Sequence, residues 1–324
     1  MTLDPQVTRM MELLAKSKLP PLETLQPPAA RKALTVRHLR ARQAVGKLVP
    51  PEPVQEVQDR MIPVADGEIK VRIYIPERTE TGPMPALVFF HGGGFVLGSL
   101  ESHDEICRAL TNLTPCVVIS VNYRLAPEYK FPTGLWDAYA ATQWVFQNAA
   151  ELHLDPTRIA VGGDSAGGNL ATGVCRLAKE RGDFQPCFQL LLYPATDLDA
   201  QTHSKKQFAK GYQLDDTLLH YFHSHYVHHE QDFQNPLVSP LLHPLENLST
   251  LPPAHVLTAE YDPLRDEGEA YASLLKKAGV PCTHTRYDGM VHGFLAMTAF
   301  LDQAREGLQD LAAVLRQSAF QMPS

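Results

Sequence analysis

The feature that most limits what this chain can fold into is Gly163-Asp164-Ser165-Ala166-Gly167. It comes directly after the apolar run Arg158-Ile159-Ala160-Val161 and directly before the helical pattern Asn169-Leu170-Ala171-Thr172. Strand, glycine-flanked serine, helix is the order of a turn too sharp for bulky neighbours. The serine Oγ then projects above a sheet, and the next helix aims its positive N-terminal end at the same point. Alone the string is weak, because Gly, Ala and Ser are common, and a structural turn would read the same.

Three further pieces give it weight. His91-Gly92-Gly93-Gly94 follows Ala86-Leu87-Val88-Phe89-Phe90, an unbroken apolar stretch that reads as a fully buried strand. Consecutive glycines cost conformational entropy, and they are tolerated where backbone N–H groups must face a ligand, as in an oxyanion hole. A flexible turn is the bland alternative. His91, next to Gly92, is expected to hold the shape of this loop. Gly92 and Gly94 would need a glycine at 97 for a dinucleotide fingerprint, and that position is Leu97; no Gly-Lys-Ser/Thr follows either cluster. Downstream, His255-Val256-Leu257-Thr258-Ala259 reads as a strand ending near Asp262, and Thr283 to Tyr287 as a last strand with His292 in the loop beyond it. Asp262 competes with Asp266, read as an N-cap of the helix that follows, and with Glu260; His292 competes with His284, whose place inside a strand points to structure.

These residue types suit acyl transfer. A serine hydroxyl is a poor nucleophile at neutral pH and needs a base that takes its proton and later returns it. Imidazole titrates near the working pH, and a carboxylate on its far nitrogen fixes the tautomer.

The chain resembles the hormone-sensitive-lipase-like (bacterial family IV) carboxylesterases of the α/β-hydrolase superfamily. The matching strings are His91-Gly92-Gly93-Gly94-Phe95, Tyr123-Arg124-Leu125-Ala126-Pro127-Glu128, Gly163-Asp164-Ser165-Ala166-Gly167-Gly168-Asn169, Asp262-Pro263-Leu264-Arg265-Asp266 and His292-Gly293-Phe294. The resemblance implies an α/β fold with a mostly parallel central sheet, helices on both faces and a helical cap. It implies a serine esterase for short-chain acyl esters, with Ser165, Asp262 and His292 catalytic and the N–H groups of Gly93, Gly94 and Ala166 as oxyanion hole. It also implies a cap built from the N-terminal segment and an insertion, and a homodimer.

The expected organisation is N-terminal cap helices and linker over 1–52, a catalytic core over 53–196 and 254–324, and a cap insertion over 197–253. A short helix with Val7, Met10, Met11 and Leu14 on one side is expected after Asp4-Pro5, with further helices near 29–45, 103–113, 135–149, 169–179, 269–277 and 304–318, strands around Val71-Ile75, 86–90, 116–121 and 189–193, and a linker over 48–53. Strands alternating with helices imply a parallel sheet. The 36 acidic against 29 basic residues argue against nucleic acid. Five scattered cysteines, none in a C-x-x-C pair, suggest a reducing compartment, and with no visible signal peptide the cytoplasm is expected. No apolar run reaches the ~20 residues of a bilayer span. No cofactor or metal is expected. His220, His223, His225, His228 and His229 tempt a metal reading, with His225 and His229 four apart, but a cap helix with exposed histidines is the plainer one.

Overall fold

In the computed structural model, residues 2–16, 19–44, 51–77 and 82–321 are described. Eight strands form one sheet: β1 (Glu56–Val64), β2 (Gly67–Ile75), β3 (Met84–Phe90), β4 (Val117–Asn122), β5 (Leu154–Asp164), β6 (Gln189–Leu192), β7 (Ala254–Tyr261) and β8 (Cys282–Val291). Their order is β1-β2-β4-β3-β5-β6-β7-β8. β2 runs antiparallel to both β1 and β4; every other pairing is parallel.

The helices are α1 (Pro5–Lys16), α2 (Pro27–Ala44), α3 (Asp104–Leu113), α4 (Thr133–Gln147), α5 (Ala166–Arg181), α6 (His203–Gln207), α7 (Asp216–Tyr226), α8 (Leu245–Leu248), α9 (Arg265–Lys277) and α10 (Asp302–Val314). The expected ends of the second helix, at Val45, and the start of the linker, at Leu48, lie outside the described residues.

The sheet is covered on both faces, and the strand period shows it. Along β3, Val88 and Phe90 join a cluster with Leu135 and Val145 of α4, Leu170 and Val174 of α5 and Leu275 of α9. Leu87 and Phe89, one residue out of phase, join Ile106 and Leu110 of α3 and Leu308 and Leu311 of α10. All seven residues of β3 are buried. A strand buried on both sides must be apolar at every position, which is why Ala86 to Phe90 is an unbroken run.

Two strand expectations are corrected. β1 was not expected at all: it is half-exposed, pairs only with β2, and mixes Glu56, Gln58, Asp59 and Arg60 into its alternation. β8 runs on to Val291 rather than stopping at Tyr287, because Gly289, with φ +74°, lets the chain bend and stay in the sheet. Between β6 and β7 the regular alternation breaks into α6, α7, α8 and short turns.

All five cysteines are free thiols. Among the described residues no helix is long and apolar enough to cross a membrane.

His255 of β7 is 4% exposed, and one ring nitrogen lies 2.8 Å from Thr283 Oγ1. Burial, with His284 nearby, pushes its pKa down from 6.5 to about 4. Between those values the unfolded chain binds a proton that the folded chain refuses, so stability falls as pH drops through this window. Urea unfolding from pH 6.5 to 4.5 is expected to show His255→Gln lacking on the order of 2 kcal/mol of the wild-type loss. An equal loss in both proteins would contradict the assignment.

Candidate active site

The serine sits where β5 becomes α5. Ser165 has φ 55° and ψ −117°, a conformation that costs an L-residue on the order of 1–3 kcal/mol. The backbone is held there from both sides: Ser165 N–H donates to the Leu192 carbonyl at 2.8 Å, and Ser165 O accepts from Asn169 and Ala195. The flanking glycines are steric requirements. A Cβ on Gly167 would lie 1.8 Å from the Phe90 carbonyl oxygen, and one on Gly163 would lie 2.4 Å from the same atom. The turn is therefore pressed against the end of β3, where the glycine loop begins.

Ser165, His292 and Asp262 come together, although 127 and 30 residues separate the two pairs. His292 follows β8 directly, and Asp262 follows β7. His292 Nδ1 is 2.7 Å from Asp262 Oδ2, and Nε2 is 3.0 Å from Ser165 Oγ. Only an N–H can face a carboxylate at that distance, so Nδ1 carries the proton and Nε2 presents its lone pair to the serine hydroxyl. Asp262 is 1% exposed, and its Oδ1 accepts the Leu264 N–H at 2.8 Å.

The competing residues lie elsewhere. Asp266 is not the N-cap of α9, as the sequence suggested; that position is Leu264, and Asp266 sits in the first turn. Its carboxylate accepts the Ser204 N–H at 2.7 Å instead, which ties α6 to the loop after Asp262. Glu260 accepts the Gly289 N–H at 2.7 Å. His284 Nε2 is 2.9 Å from Thr258 Oγ1, inside the sheet.

The glycine loop faces the serine from β3. Gly93 and Gly94 have φ +117° and +61°, reachable at low cost only by glycine. Gly93 O accepts the Val96 and Leu97 N–H groups. A Cβ on Gly94 would sit 2.1 Å from Phe222 Cγ, so a ring from α7 lies flat on the loop. Ala166 opens α5, where N–H groups have no intrahelical acceptor. His91 is fully buried: its Nδ1 meets the Gly92 carbonyl at 2.9 Å and its ring stacks on Tyr123 at 4.4 Å. Burial, with His103 close by, lowers its pKa to about 4, so it is a neutral structural ring at neutral pH. A Cβ on Gly92 would meet Asp164 Oδ2 at 2.4 Å.

Ser165, His292, Gly93, Gly94 and Ala166 all line one cavity of about 670 Å³. Its walls come largely from outside the sheet: Met10, Leu22 and Leu34 from the N-terminal segment, and Leu218, Leu219 and Phe222 from α7. A charged sector holds Arg72, Glu101, Asp104 and Arg108, which pair among themselves. Sequence reasoning missed these apolar walls, because their partners are more than a hundred residues away. It also missed His103, whose ring lies 3.0 Å from Asp164.

The histidines after 219 do not make one helical face. α7 ends at Tyr226, so His225 and His229 do not share a helix, and His225 Nδ1 meets the Tyr221 carbonyl at 2.7 Å. Among the described residues no three His, Cys, Asp or Glu side chains gather in a group that could hold a metal ion.

Residues 87–296 match the family model for the alpha/beta hydrolase fold. The chain is 42% identical over 297 residues to an arylesterase of Saccharolobus solfataricus, covering 91% of this chain and 93% of that protein. It is 42% identical over 267 residues to the carboxylic ester hydrolase LipN of Mycobacterium tuberculosis, covering 81% and 70%. Among solved structures it superposes on a hyperthermophilic esterase from Pyrobaculum calidifontis with a TM-score of 0.88, at 40% identity over 98% of this chain and 99% of the other. The chain belongs to the α/β-hydrolase family, and within it to the hormone-sensitive-lipase-like esterases.

An alanine usually stabilises a helix relative to glycine by about 1 kcal/mol. At Gly167 the sign reverses, because the added methyl meets backbone rather than a flexible side chain. Gly167→Ala is expected to cost more than about 3 kcal/mol in urea unfolding, or to abolish soluble expression. A variant within 1 kcal/mol of wild type would show that the turn can yield.

Proposed function

We propose that the protein is a serine carboxylesterase acting on short-chain acyl esters, with Ser165 as nucleophile, His292 as base and then acid, and Asp262 as the carboxylate that orients it. The observation that carries this reading is the hydrogen-bonded chain from Asp262 Oδ2 through His292 to Ser165 Oγ, at 2.7 and 3.0 Å, opening into the cavity.

Ser165 Oγ attacks the ester carbonyl while its proton passes to His292 Nε2. The carbonyl oxygen becomes an oxyanion and accepts hydrogen bonds from the N–H groups of Gly93, Gly94 and Ala166, helped by the positive end of α5. The C–O bond to the alcohol then breaks, and His292 returns the proton to the departing oxygen. This leaves an acyl-serine. Water repeats the sequence: its proton goes to His292, its oxygen bonds to the acyl carbon, and Ser165 leaves with the proton as the acid is released. Asp262, buried and fixed by Leu264 N–H, stabilises the imidazolium in each half.

Residues 1–52 and 197–253 act as a cap over a core of 53–196 and 254–324; its side chains supply the apolar walls that receive the substrate. The substrate is a small ester, the protein works in the reducing cytoplasm, and two copies pair as a homodimer. Light scattering decides the last point: a mass of one chain at micromolar concentration removes it.

With p-nitrophenyl butyrate, wild type is expected to show a burst equal to the enzyme concentration and Ser165→Ala none. Asp262→Asn should lower kcat by about 10⁴, whereas Asp266→Asn should leave kcat within a few-fold. His292 must be neutral to accept the proton, so kcat/KM should fall on the acid side. Equal rates in wild type and Ser165→Ala would overturn the reading. Across p-nitrophenyl acetate, butyrate, octanoate and palmitate, kcat/KM should peak at the short end; a peak at palmitate would remove the short-chain assignment.

A further inference from the structure

Beneath the glycine loop lies a buried pair that the steps above do not use. Asp164 and His103 are 7% and 8% exposed. Asp164 Oδ1 accepts the Gly92 N–H at 2.8 Å, and His103 Nε2 lies 3.0 Å from the same oxygen. The Gly92 N–H also points at His103 Nε2, 3.3 Å away, so amide, carboxylate and ring nitrogen form one three-way contact, in which a protonated Nε2 pairs with the carboxylate. The other ring nitrogen is 2.8 Å from Ser102 Oγ, which itself accepts the Ser99 N–H at 2.9 Å. Burial raises the Asp164 carboxyl, but the His103 charge and the hydrogen bonds to His103 and Gly92 outweigh it, and its pKa ends below the ordinary value.

The connectivity gives this pair leverage. Asp164 precedes the serine by one residue, and Gly92 precedes the first proposed oxyanion donor by one. The carboxylate therefore links the two chain segments whose relative placement decides where Gly93 and Gly94 N–H point with respect to Ser165 Oγ. The glycines have little conformational preference of their own, so something outside them must set the direction. We propose that Asp164 and His103 are positioning residues for the oxyanion loop: Asp164 fixes Gly92 N–H, and His103 holds the Asp164 carboxylate in place by the second hydrogen bond. The inference rests on the proposed role of Gly93 and Gly94. Such a pair acts on the transition state, where the oxyanion sits, more than on the bound ester.

The test uses the whole protein and rates per active site, counted from the burst. A trifluoromethyl ketone serves as probe, because Ser165 adds to it and leaves an oxyanion where the ester would. Asp164→Ala and His103→Leu are expected to lower kcat about 10- to 100-fold with KM within about twofold, and to raise the ketone Ki by the same factor. His103→Gln keeps an N–H donor and should recover most of both. Ser102→Ala removes the far contact of the ring together with the hydroxyl's two bonds to Ser99, and should move kcat and Ki together by a few-fold, which keeps the test alive if His103→Leu does not fold. Unchanged Ki in Asp164→Ala or Ser102→Ala, a rise in KM alone, or no recovery in His103→Gln would overturn the proposal. Failure of the esterase reading looks different: wild type itself then gives no burst.

Discussion

The carbonyl oxygen of Phe90 touches two glycines of another strand-turn-helix unit, and the active-site geometry depends on that contact. A Cβ at either Gly163 or Gly167 would overlap it. Because both lack one, the turn that carries Ser165 closes onto the end of β3, and the chain leaving β3 is the glycine loop. The strain in Ser165 is held by backbone hydrogen bonds to Leu192, Asn169 and Ala195, so it comes from neighbouring strand and helix rather than from the site. The proposed nucleophile and N–H donors are placed by one packing event between β3, β5 and α5.

What could be read from the residues follows from how each element is covered. β3, most of β4 and the second half of β5 announce themselves because both their faces are buried and a mainly apolar run fits there. β1 does not, since it lies at the sheet edge and its exposed positions mix charged Glu56 and Asp59 with Met61 and Pro63. The Ser165, Asp262 and His292 positions were legible because each follows a strand and carries short-range punctuation: glycines, Asp-Pro, His-Gly. Asp266 was misjudged as a cap because the alternative, a hydrogen bond to Ser204 N–H across 62 residues, leaves no local trace. His103 is the same case. Asp164 was in plain view inside the serine motif, and a buried carboxylate next to the serine had to have a partner; nothing in the spacing says which of fourteen histidines provides it.

Burial sorts those histidines into two kinds. His91, His243 and His255 are driven down to about 4, with burial the largest cause for each. They are neutral rings at neutral pH, and they serve as shape and as hydrogen-bond partners: His91 on Tyr123 and Gly92, His255 on Thr283. His103 and His292 instead each face a buried carboxylate, Asp164 and Asp262. One of these pairs has a serine hydroxyl at its far nitrogen inside the cavity; the other has Ser102, committed to its own turn. The same chemical unit therefore appears twice around the serine, and its position relative to Ser165 Oγ separates the proposed proton-transfer role from the proposed supporting one.

The N-terminal segment belongs to this arrangement by packing rather than by chemistry. Val7 and Met10 of α1 are buried in the cluster that contains Met290, Phe294 and Leu295, the residues on either side of His292. Gln6 and Asp302 exchange hydrogen bonds at 2.8 and 2.9 Å, joining α1 to the start of α10, and Asp4 N–H donates to the Gly289 carbonyl at 3.2 Å. The turn that presents His292 is thus gripped from the chain's first helix as well as by β8. The same helix contributes Met10 and Leu14 to the cavity wall. A segment that lines the cavity and braces the residue proposed to move the proton cannot shift without changing both.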